Sequence, residues 1–179
     1  MLAVRVDTFP LVVTTFGDGF GEEDFAAFRE AHTGILERQL RYVSVVDTSA
    51  LVTMPSFALR DSVADFVRIY ADDVSALCLS TEVVVTNVAA RTALGAMQWF
   101  VPENTKVTLH AALRPAVSRA LDAVWTNQLD TTAEMLAYHD EIMSTRSMPP
   151  ARDSGSFAKR ALSSSIEGLL RRARRTDKL

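Results

Sequence analysis

The stretch 43–60, VSVVDTSALVTMPSFALR, limits the fold more than any other part of this chain. An apolar run ends in a carboxylate, Asp47, passes through a short polar segment and reaches Pro55-Ser56, where a helix can open. A strand that hands the backbone straight to a helix start puts the connecting loop at the strand's carboxyl end, where open α/β sheets gather their working groups. The rest of the chain can be read outward from that unit.

Upstream, 2–6 and 11–15 read as short strands separated by Asp7-Thr8-Phe9-Pro10, too short a link for a helical crossover, so the pair is expected to be an antiparallel hairpin at a sheet edge. Pro10 is tolerable at a strand start. Gly17, Gly19 and Gly21 break the strand, and 22–39 repeats Phe25, Phe28, His32, Ile35, Leu36 and Gln39 at helical spacing, with Glu22, Glu23 and Asp24 suiting the positive end of the helix dipole. Tyr42 to Asp47 is the near-continuous apolar strand of a sheet centre. From Ser56 the spacing of Phe57, Val63, Phe66, Val67, Tyr70, Val74 and Leu77 predicts helix to about Cys78, with a break near Ala71-Asp72. Another strand is expected over 82–86, a helix over 89–100 capped by Asn87 and ended by Pro102, a strand over 106–110, and helices over 115–125 and from Thr131 or Thr132 to about Met143.

Alternating strands and helices demand right-handed crossovers and a mostly parallel sheet. The expected architecture is one α/β domain, 1–147, with a mixed five-stranded sheet, an antiparallel edge hairpin and helices on its faces. A proline-rich linker, 148–156, and a basic amphipathic helix, 157–179, follow it.

At 179 residues and 48% hydrophobic the chain can bury a core of that size. Its apolar runs are short and its first residues lack a signal-peptide layout, so a cytoplasmic protein without a transmembrane segment is expected. Cys78 has no second cysteine to pair with and sits among Val74, Leu77 and Leu79, the setting of a buried, inert thiol. The net charge of −3 hides an asymmetry. Residues 1–150 carry 11 Lys and Arg against 19 Asp and Glu, a balance of −8, whereas 151–179 carry 8 against 3, a balance of +5. The acidic body would repel a phosphate backbone, so no nucleic acid is expected on the core domain.

At this level of detail the strand–loop–helix unit resembles a known one. VVDTSALVTMPS is similar to the corresponding segment of STAS domains, the fold of the SpoIIAA-type anti-sigma factor antagonists. It is closer still to uncharacterised bacterial STAS-like proteins in which a strand ends in Asp-Thr/Ser, Pro precedes the second helix, Arg lies in that helix and Trp ends the third. Those positions are Asp47-Thr48, Pro55, Arg60 and Trp99 here, and the resemblance covers roughly 8–126. It implies a regulatory domain whose second helix opens with a phosphorylatable serine, Ser56 by position. Here Pro55 and Phe57 flank that serine, where the antagonists have small residues.

Each candidate residue also has a plainer reading. Ser56 can simply cap its helix, and phosphorylation would add about two negative charges at the positive end of the helix dipole. Asp47, Thr48, Ser49, Ser56, Arg60 and Arg91 can ring a shallow pocket for a small anion or for a partner; alternatively Arg60 pairs with Asp47 or Glu37 and Arg91 is solvated. The glycines after the second strand match neither phosphate-loop spacing, and the acidic residues beyond them oppose an anion. His32, His110 and His139 fall on three elements with no metal-ligand spacing, no nucleophile motif is present, and neither a metal, a cofactor nor a catalytic set is expected.

The tail's stripe includes Leu162, Ile166, Leu169 and Leu170, with Arg171 and Arg172 among its charges. Its expected docking surfaces, in order, are the chain's own acidic body or a homodimer contact, then a partner protein, then a membrane surface. The expected function is a non-catalytic regulatory or adaptor module working by protein–protein contact, the alternative being a sensor or carrier of a small anionic or lipidic ligand.

Overall fold

A computed structural model describes residues 1–51, 56–86 and 106–145, all within one compact unit, Met1–Arg146. Its elements run β1 (Leu2–Arg5), β2 (Leu11–Gly17), α1 (Glu22–Glu37), β3 (Tyr42–Ala50), α2 (Phe57–Ile69), α3 (Ala71–Leu77), β4 (Cys78–Val84), β5 (Val107–His110), α4 (Leu113–Thr126) and α5 (Ala133–Ser144). The five strands form one sheet in sequence order. The β1–β2 pair is antiparallel and every later pair is parallel.

This is the α/β architecture expected from the chain's rhythm. The expected helix over 89–100, with Arg91 and Trp99, lies outside the described residues. So do the linker 148–156 and the tail helix with Leu162, Ile166, Leu169, Leu170, Arg171 and Arg172.

Strand order decides where the helices go. Because the chain steps steadily from β2 to β4, right-handed crossovers send the connecting helices to the same face. That back face holds α1, α2 and α3. Val12 of β2 and Tyr42 of β3 pack there with Ile35 and Leu36 of α1, beside a cluster of Phe20, Phe25, Phe28, Leu59 and Phe66. Phe28 meets Phe66 edge-on at 5.5 Å. The front face is left to the pair that follows β5. Leu11, Val13, Val43, Val45 and Val84 pack under Ala116, Val117, Ala120, Leu121 and Val124 of α4 and under Met135 and Tyr138 of α5, nearly all fully buried.

Several boundaries differ from the sequence reading, each for a local reason. β3 runs three residues past Asp47, because the Thr48 hydroxyl donates to the Val84 carbonyl at 2.7 Å and ties the strand to β4, while Ala50 pairs with Gly17. Thr48 and Ser49 therefore belong to a strand, and β2 likewise continues through Gly17. The long second helix breaks at Tyr70, within a residue of the expected position. α3 ends at Leu77 with Cys78 as its C-cap, within a residue of the expected end, but β4 begins at that same Cys78, four residues before the expected strand start. Val74 and Leu77 keep the helical spacing to the last residue of α3, and Cys78 then adopts extended dihedrals at once, with no turn residue between helix and strand.

Candidate functional site

The carboxyl end of β3 and the start of α2 carry all five of the predicted pocket residues that are described, Asp47, Thr48, Ser49, Ser56 and Arg60. Ser56 is exposed and caps α2, its Oγ accepting from the Leu59 N–H at 3.2 Å. The plain reading of this serine is thus realised, on a hydroxyl that solvent reaches. Arg60 lies on α2, one turn further on.

Asp47 and Thr48 are neighbours in β3, so the strand's pleat sends their side chains to opposite faces. Asp47 is 6% exposed, and its Oδ1 accepts from the Ser49 N–H at 2.9 Å, a local side-chain-to-backbone bond within the end of β3. It lies near Tyr138, whose hydroxyl is pushed up to about 12 by burial first and then by the Asp47 charge, with Arg5 opposing. The Arg5 guanidinium sits 4.7 Å from the centre of the Tyr138 ring and 3.9 Å from the Glu141 carboxylate. Arg5 thus ties the sheet to α5, with Asp47 close enough for its charge to act on Tyr138, whereas the Thr48 hydroxyl donates to β4. Outward-facing at this end are Ser49, Ala50 and Ser56.

A second polar group was not anticipated. Glu82 in β4 is 1% exposed, and its Oε2 lies 2.7 Å from Nε2 of His110, at the end of β5, and 3.6 Å from Nε of Arg119 on α4. The parallel register sets Glu82 opposite Thr108 and His110 opposite Val84, two residues on along the same face. A carboxylate taken from water needs a cation or donors beside it, and this one has both. The sequence carried a usable signal: Glu82 is the sole charge in the run TEVVVT, and an acid inside a buried strand must find a partner on an adjacent strand or helix.

The remaining histidines and the thiol are held structurally. His32 on α1 shares a 3.2 Å hydrogen bond with the Thr14 hydroxyl and lies 4.3 Å from the Phe28 ring; burial pushes it down to about 4. His139 lies 3.1 Å from Asp140. Burial raises the Cys78 thiol, which donates to the Ser80 carbonyl at 3.3 Å, and it raises the Tyr42 hydroxyl as well. Among the described residues, no group of three or more His, Cys, Asp or Glu side chains could hold a metal ion, and no helix is long and apolar enough to cross a membrane.

Comparison of the chain with protein-family models and with curated proteins finds no match to either.

Proposed function

We propose that this chain is a non-catalytic regulatory or adaptor module of STAS-like type, which meets a protein partner through the surface formed by the end of β3 and the start of α2. One observation carries the reading. The acids near the strand ends are turned inward and engaged, Asp47 by the Ser49 amide and Glu82 by His110 and Arg119, while the groups turned outward are Ser49, Ala50 and the hydroxyl of Ser56. Catalysis by a carboxylate needs that group within reach of a substrate; a contact surface needs small polar groups on rigid elements. Ser56 is also a natural control point. A phosphate on its oxygen would sit beside the N–H groups of the first turn of α2, which favour negative charge, and would change the surface without breaking the helix.

The test is a comparison of three tagged chains, wild type, Ser56→Ala and Ser56→Asp, purified from their native cell and examined by native mass spectrometry. A stoichiometric second chain on wild type and Ser56→Ala, its affinity shifted at least about tenfold by Ser56→Asp, is the expected result, equivalent to about 1.4 kcal/mol. A bound small molecule with no second chain would replace this reading with the carrier of an anionic or lipidic ligand.

A further inference from the structure

The outer edge of β1 offers a hydrogen-bonding pattern that a second copy of the same strand completes. In the β1–β2 ladder the pairs are Leu2 with Phe16, Ala3 with Thr15, Val4 with Thr14 and Arg5 with Val13, and the Gly17 N–H donates to the Met1 carbonyl at 2.7 Å. The main-chain groups of Ala3 and Arg5 therefore face β2, and those of Leu2, Val4 and Val6 face outward. Two of the outward groups are already engaged: the Leu2 N–H by the Asp24 carboxylate, and the Val6 carbonyl by the Phe9 N–H at 3.4 Å. The Leu2 carbonyl, both groups of Val4 and the Val6 N–H face outward with no partner among the described residues.

We propose that two copies of this chain pair antiparallel along β1, with Val4 opposite the partner's Val4, joining two sheets into one of ten strands. In that register Val4 exchanges both of its hydrogen bonds with the partner's Val4, and the Val6 N–H meets the carbonyl of the partner's Leu2. The remaining combination, Leu2 N–H with Val6 carbonyl, would fall between the two groups already engaged within each copy. Every outward group is thus satisfied once, as a two-fold, self-complementary interface requires.

The side chains agree with the main chain. Leu2, Val4 and Val6 share the back face, so the interface places an apolar row against its own reverse. Beside Val4 and Val6 an open depression of about 990 Å³ extends around α1, with Ala31 and Gly34 among the helix residues that line it, and a Cβ added at Gly34 would meet nothing within 4 Å. A neighbouring copy has room to approach there. Natural sheets usually guard such an edge with lysine, proline or a bulge. β1 itself has none of these, and its single charge, Arg5, is drawn to the front face by Asp7, Glu141 and the Tyr138 ring, which leaves the Asp24 carboxylate, paired with the Met1 ammonium at 3.2 Å, as the charged group beside the Leu2 end of the edge.

Sedimentation of the full chain tests the proposal directly. Wild type should run at twice its 19.7 kDa chain mass at micromolar concentration. Val4→Pro should run as a monomer with an unchanged circular dichroism spectrum, because the N–H it removes points away from β2. Val4→Cys should cross-link as a dimer on mild oxidation, since a hydrogen-bonded pair brings the two Cα atoms to about 5.5 Å, within disulfide range. Ala3→Cys, one residue out of register, should not. The buried Cys78 thiol stays silent in both. If Val4→Pro fails to fold, the two cysteine variants decide alone. A monomeric wild type, or a dimer in which Val4→Cys resists cross-linking, would overturn the pairing.

Discussion

Glu82 shows how much one residue can ask of its neighbours. A carboxylate at 1% exposure is tolerable because His110 stands at hydrogen-bond distance and Arg119 just beyond it, yet the two partners are unequal. His110 is 12% exposed and close; Arg119 is 63% exposed and 3.6 Å away, where water screens it. His110→Ala should therefore destabilise the fold by about 3 kcal/mol in urea unfolding, and Arg119→Ala by less than about 1 kcal/mol. Glu82→Leu combined with His110→Ala should recover much of the loss, since no charge is then left buried. A double variant as unstable as His110→Ala alone would mean the histidine acts through packing. His32 makes the complementary case: it is held neutral. With its folded value near 4, below the usual 6.5, the unfolded chain binds the proton first as pH falls, so this residue's contribution is complete above 6.5 and is lost between 6.5 and about 4. The loss is at most about 3 kcal/mol. His32→Gln, which keeps a partner for Thr14, should flatten the fall in stability over that window, and an unchanged slope would assign it to other groups.

Element by element, the chain was legible wherever one periodicity ruled. α1, with Phe25, Phe28, Ile35 and Leu36 turned to the sheet, and α4, with Ala116, Val117, Ala120, Leu121 and Val124, could be read to within a few residues, because a buried stripe repeats every turn. The hairpin was legible from the shortness of its link, and the cap of α5 to within the pair Thr131 and Thr132, of which Thr132 takes the role. Reading failed at junctions. Leu77, Cys78 and Leu79 pass from helix to strand without any polar turn residue, so nothing local marks the boundary. The extension of β3 rests on one hydroxyl of Thr48 reaching a neighbouring strand, which no single-strand pattern contains. The candidate site suffered most from the same blindness to pairing. Asp47 and Thr48 read as neighbours at a loop, yet the pleat separates them to opposite faces. Glu82 and His110 read as unrelated, yet strand register brings them to 2.7 Å.

At the scale of the molecule, sequential strand order has an energetic consequence. Among the described residues the strand order never reverses, so these strands form no switch point of the kind that holds ligands in doubly wound folds, and the helices described on the front face are the two that come last in the described chain. Those two are not equally secured: α4 buries five residues, whereas α5 buries Met135 and Tyr138 alone. The central strands β2 and β3, each paired on both sides, should form the slowest-exchanging unit in native-state hydrogen exchange, and α5 should open at a lower free energy than they do. Met135→Ala removes a fully buried side chain and should cost about 3 kcal/mol. Because α5 has just one other buried anchor, much of that cost should appear as early opening of α5, while the β2 and β3 amides retain their rank as the most protected. If the substitution instead lowers protection by the same amount in every element, the front-face helices and the sheet unfold as one cooperative unit, and the closing of the front face is inseparable from the folding of the sheet beneath it.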